Sequence, residues 1–134
     1  MKKIFFVFMC CFLLVSCRQV DYVSSGTYLL DNRSSYDVVV VFHHKAREEA
    51  DTSKLIQVGM LDTIYHIVTD PSYHTPWMLK YMKIFRCAEN TEMTLLYEQN
   101  PIDESLWTVE RQYKKGEYGH TVNTFVFTDD MVRR

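Results

Sequence analysis

Glycine and proline are scarce in this chain, with 4 and 3 copies in 134 residues, and cysteine available to a folded body is scarcer still. No Gly-rich phosphate loop, nucleophile elbow, metalloprotease helix motif or paired-cysteine motif is present, which removes the common nucleotide, hydrolase and zinc-ribbon signatures. Three of the four cysteines lie within the first 17 residues, leaving Cys87 alone in the body, so no disulfide framework is expected. A lone thiol inside a strand reads as a small buried apolar group. Positive charge is not in excess either: 15 basic against 17 acidic side chains give a net charge of −2, adverse to a general nucleic-acid binder. The length suits one domain and rules out multi-domain machinery.

The densest apolar stretch stands at the start. Met1, Lys2 and Lys3 precede Ile4-Phe5-Phe6-Val7-Phe8-Met9-Cys10-Cys11-Phe12-Leu13-Leu14-Val15, followed by Ser16-Cys17. This is the layout of an export signal, and its apolar run is too short to cross ~30 Å of hydrocarbon as a permanent anchor. No later stretch approaches spanning length. Leu14-Val15-Ser16-Cys17 resembles a lipobox, and the chain in this region resembles a bacterial lipoprotein precursor. That resemblance implies a cleaved signal over 1–16, lipid (palmitate) on Cys17, and a place in the cell envelope; the outer membrane is favoured over the inner, and the residues after Cys17 leave both membrane and leaflet open. More than one acyl chain would be needed for stable anchoring. The polar stretch 17–25 reads as a tether, and 26–134 as a single domain.

The body reads as strands. Thr27 to Leu30 is a short one, ended by Asp31-Asn32-Arg33-Ser34-Ser35, whose side-chain oxygens suit a turn. Asp37 to His43 carries four successive valines and predicts a central strand. Lys45 to Asp51 mixes charges and reads as a solvated loop or one helical turn. Leu55 to Val58 and Thr63 to Val68 predict two further strands, the second with Ile64, His66 and Val68 on one face and Tyr65 and Ile67 on the other. Asp70 to Pro76 is a loop. After Pro76 the pattern fits either a continuous helix or a short turn over 76–79 followed by a hairpin, Tyr81–Cys87 with Met93–Glu98, and the hairpin is favoured. Leu106–Arg111 and Thr121–Thr128 complete the set. The expectation is an all-β fold: a compact antiparallel β-sandwich of about seven strands, Ig-like or related, with at most short helical turns. The turn before the valine strand and the late aromatic strand, Asn123 to Asp130, loosely resemble small β-rich Bacteroidetes envelope lipoproteins, a likeness that carries no activity with it.

Candidate chemistry is sparse. Adjacent His43 and His44 point to opposite faces of a strand, while His66, His74 and His120 are far apart in sequence. A metal site would need them to meet, with Cys87 or Asp70 as further donors, and no spacing enforces that. Glu104, Glu110 and Glu117 read as solvated charge, so no catalytic residue, metal or cofactor is assigned. Trp77, Trp107, Tyr113 and Tyr118 fall in or near predicted loops and are candidate ligand-surface aromatics. The competing reading, which is preferred, seals both tryptophans into a small core. Asp62-Thr63-Ile64 resembles a Bacteroidetes O-glycan acceptor pattern, with Thr63 as the hydroxyl, and Lys114-Lys115 reads as a solvated hairpin tip. The functional expectation is a lipid-anchored, non-enzymatic envelope protein that binds an envelope protein, peptide or glycan. Two alternatives remain: a structural subunit using an exposed sheet edge, and a small hydrolase or metal-dependent enzyme.

Overall fold

A strand with one face in water and one in a core must alternate, and Ser24–Arg33 does so without interruption: Ser24, Gly26, Tyr28, Leu30 and Asn32 are buried, and the residues between them are not. This is β1 in a computed structural model that describes residues 24–69, 74–88, 92–112 and 119–133. Valine crowding, which disfavours a helix, makes β2 of Val38–His44. Then follow β3 (Asp51–Thr52), β4 (Leu61–Thr69), β5 (Leu79–Cys87), β6 (Met93–Gln99), β7 (Trp107–Gln112) and β8 (Gly119–Thr128). Three short 3₁₀ turns, Pro76–Met78, Glu104–Leu106 and Asp129–Met131, are the only helical elements among the described residues.

The strands form two four-stranded sheets, ordered β4-β1-β8-β7 and β3-β2-β5-β6. Their inner faces share one core. Tyr28, Leu30, Phe125 and Phe127 come from the first sheet, and Val38, Val40, Phe42, Met82 and Ile84 from the second. Aromatic contacts bridge the two, with the Tyr97 and Phe125 rings 5.5 Å apart and the Phe42 and Tyr65 rings 5.2 Å apart.

Several expectations need correction. Pairing is not wholly antiparallel, because β1 runs parallel to β8 over its whole length and lies between it and β4. Among the described residues the strands number eight, and β1 runs over Ser24–Arg33 and not only Thr27–Leu30. Leu55–Val58 is not a strand; only Ile56 bridges, to Val38. With Ser53, whose N–H donates to the Val40 carbonyl and whose hydroxyl accepts from the Val40 N–H, it covers the edge of β2. The faces assigned to β4 also differ. Tyr65 lies opposite Tyr28 and Thr63 opposite Leu29, so Ile64 is an extra bulged residue, and it shares the core side with Ile67 while His66 and Val68 face solvent. Lys80 and Leu96 are bulged in the same way. After Pro76 the chain makes a single 3₁₀ turn and then the β5–β6 hairpin, since Leu79, Met82 and Ile84 find partners on β2 that a helix would have denied them.

Asn32 closes the β1–β2 corner. Its amide donates to the carbonyls of Tyr36 (2.8 Å) and Ile56 (3.1 Å), and its oxygen accepts from the Ser34 N–H and hydroxyl. Gly59, at φ 78°, takes the left-handed turn that returns the chain to β4, and its N–H bonds to the Asn32 carbonyl. Because Asn32 is fully buried, Asn32→Ala strands several polar groups and is expected to cost about 3 kcal/mol. Urea titration should show a lower midpoint with an unchanged slope.

Candidate functional site

Two residue types in β1 determine what lies beneath the first sheet. Gly26 leaves a gap on the inner face, and a methyl there would overlap the Cβ of His74, so His74 packs across the strand at that point. Tyr28, two residues on, reaches to the end of β2. A hydrogen-bond relay runs through it: the Ala46 N–H donates to His44 Nδ1 (3.1 Å), His44 Nε2 lies 3.5 Å from Tyr28 Oη, and that hydroxyl donates to the Thr75 carbonyl (3.2 Å). Since Nδ1 is accepting, the neutral imidazole carries its proton on Nε2, and the weak contact to Tyr28 runs in that direction. Asn123 on β8 adds a second tie, its amide donating to the His74 carbonyl at 3.1 Å. Residues 74–78 are thus strapped to the core at both 74 and 75.

The strap carries Trp77 outward. Its ring is 50% exposed, with Lys45 Nζ 4.5 Å from the ring centroid. The Lys45 N–H donates to the Met78 carbonyl (2.8 Å), fixing the backbone below. Together with Leu79, Lys80, Pro101 and Ile102, these side chains line an open shelf of about 280 Å³. Its floor is apolar and two lysines stand at its edge, an arrangement suited to a ligand that has a flat or apolar body and a negative group. Lys45 and Lys80 were missed in the sequence because charged residues after a strand look like ordinary surface. The signal that could have found Lys80 is its bulge, which no single-sequence pattern reveals.

Trp107 does not belong to any such surface: the core reading holds for it and corrects its candidacy as a ligand-surface aromatic, whereas Trp77 departs from that reading. It is 7% exposed, its ring lies 5.3 Å from Phe125, and its Nε1 donates to Gln99 Oε1 at 3.2 Å. Tyr113, Tyr118, Cys17, Asp70, Lys114, Lys115 and Glu117 lie outside the described residues. Thr63 is partly exposed on β4, while Glu104 and Glu110 are exposed. Cys87 is a free, partly exposed thiol at the end of β5. The histidines fall into two pairs on opposite faces of the first sheet: His44 with His74 inside, ring centroids 6.0 Å apart, and His66 with His120 outside, also 6.0 Å apart. His43 stands apart against Tyr81, with Nε2 2.9 Å from the Arg47 carbonyl. Among the described residues, no three of His, Cys, Asp or Glu gather around one point. No family model matches the sequence, and neither a curated protein nor a solved structure does so.

Burial pushes His44 down from 6.5 to about 4, helped by His74, Arg47 and His43. The hydrogen bond from Ala46 acts in the same direction, because a protonated Nδ1 would face another donor. His74 is lowered by burial and by His66, and the Tyr28 hydroxyl is raised by burial and by Tyr65. An unfolded chain therefore takes up a proton near pH 6.5 that the native His44 refuses until about pH 4, so stability falls as pH drops through that interval. At ~1.4 kcal/mol per pKa unit the loss from this residue is about 3 kcal/mol. Urea titrations across the interval should follow that slope, and His44→Gln should flatten it.

Proposed function

We propose that this chain is a lipid-anchored, non-enzymatic protein of the cell envelope, held to a membrane, the outer one, by acylation of Cys17, and that its domain is a binding module for an envelope protein, peptide or glycan. The observation that carries the binding reading is the Trp77 shelf. A large aromatic ring held half in water by a buried hydrogen-bond relay is costly to keep exposed and well placed to stack. The lysines beside it favour a partner bearing carboxylate or phosphate groups. Membrane tethering would confine the search to a surface and raise the local concentration of a neighbouring partner. We further read the sandwich as Ig-like or a close relative, on the ground that two four-stranded sheets enclose one shared core.

A second reading is favoured by one edge. Among the described residues β7 ends the first sheet, and every residue from Thr108 to Gln112 is exposed, leaving a strand able to accept another. A structural subunit of this kind would assemble with rising concentration, whereas a monomer at all concentrations would exclude it.

Covalent trapping of neighbours in intact cells tests the binding reading. Trp77→Ala should reduce partner recovery at least several-fold with little change in thermal midpoint. Trp107→Ala should instead destabilise the domain by about 3–5 kcal/mol. Undiminished recovery with Trp77→Ala would rule out the shelf as the contact. Cys17→Ala should abolish acyl labelling and release the chain from membranes, and an intact mass that retains 1–16 without lipid would refute the anchor.

A further inference from the structure

The outer face of β1 carries a second arrangement that the binding reading does not use. Ser25 and Thr27 point away from the core, and the strands on either side, β4 and β8, each lean a histidine over them. His120 Nδ1 lies 2.7 Å from Ser25 Oγ, and His66 Nδ1 lies 2.8 Å from Thr27 Oγ1. The same Thr27 oxygen is 3.4 Å from His120 Nε2, a long and weak contact.

We propose that His66 and His120 form a two-imidazole site for a divalent transition cation of the zinc, copper and nickel class, with solvent completing the coordination. Ring separation is the first support. Two imidazoles on one ion, each with a metal–nitrogen bond of ~2.0–2.1 Å, bring their ring centres to on the order of 5–6 Å apart. The observed 6.0 Å requires only a small closing rotation. The hydroxyls are the second. When His120 donates its Nδ1 proton to Ser25, the lone pair is left on Nε2, the atom that faces Thr27. His66 faces the same Thr27 oxygen with Nδ1, so with its proton on Nε2 the lone pairs of His66 Nδ1 and His120 Nε2 converge on one point. An outer hydrogen bond that fixes the tautomer and the ring angle is how metal-ligating histidines are ordinarily held. Ser25 is that outer partner for His120, while the Thr27 hydroxyl marks the point on which the two rings converge.

The neighbourhood decides the ion. Neutral nitrogen donors suit borderline transition metals and not magnesium or calcium, which call for several oxygens. Cross-strand register places Gln112 beside His120 and puts Glu110 in the same row as His66, Thr27 and Val122, so a carboxylate lies two strands from Thr27. His66 is exposed and His120 half-buried, so an ion can reach both directly from solvent. Their place at the surface also makes their replacement compatible with the fold.

Titration of the full chain with zinc chloride, nickel chloride or copper sulfate alone, followed calorimetrically, tests the proposal. One ion per chain is expected, with affinity lowered at least tenfold by His66→Ala and by His120→Ala and unaffected by His43→Ala or by excess magnesium. Ser25→Ala should weaken it about tenfold by releasing the His120 ring. With copper, the electron paramagnetic resonance spectrum should show two equatorial nitrogens, falling to one in either histidine variant. No uptake by the native chain, or uptake that survives both histidine replacements in variants with native circular dichroism, would overturn the assignment.

Discussion

Tyr28 is the residue through which the two sheets and the exposed shelf are made to depend on one another. Its ring sits in the core, edge-on to Trp107 at 6.4 Å, while its hydroxyl lies between His44 at the end of β2 and the Thr75 carbonyl at the start of the strap. A buried hydroxyl must find partners, and each partner here lies on a different element. The relay therefore fixes where residues 74–78 cross the sheet. That crossing determines how far Trp77 projects and why Lys45, one residue beyond β2, comes to lie over its ring. Because the same relay needs a neutral His44, the geometry of the shelf is tied to a group that acid would charge.

The uninterrupted alternation of β1 has a consequence on each side. Inward, the absence of a side chain at Gly26 admits His74, and the long side chain of Tyr28 reaches His44. Outward, the short hydroxyls of Ser25 and Thr27 leave room for His66 and His120 to lean in from the flanking strands. Four histidines that are scattered in sequence thus become two pairs separated by the thickness of a single sheet. The inner pair is held neutral by burial and serves packing. The outer pair keeps access to solvent and to ions.

The fold was legible where a pattern runs unbroken. Four valines in β2, alternating Phe125 and Phe127 in β8, and turn residues around Asn32 all do locally what the tertiary structure asks of them. It was illegible where one extra residue shifts the pattern. The bulge at Ile64 turns a period-two reading of β4 to the wrong face, and the bulge at Lys80 moves a lysine to the shelf. Trp77 and Trp107 differ for a similar reason. Each follows a predicted loop, but only Trp107 has Phe125 and Gln99 within reach, from the strands on either side of it in the chain, β8 and β6.

Local chemistry alone was enough to specify an all-β chain: β-branched and aromatic residues in short runs, punctuated by Asn, Asp, Gly and Pro, leave a backbone few alternatives. The apolar run from Ile4 to Val15 before Ser16-Cys17 is likewise a matter of consecutive residues and needs no fold to be read. The parallel pairing of β1 with β8, the division of the histidines, and the choice of which tryptophan meets water were decided only in three dimensions. Each depends on contacts between different strands, from Trp107 with Gln99 eight positions away to Ser25 with His120 ninety-five positions away, and no local periodicity carries that information.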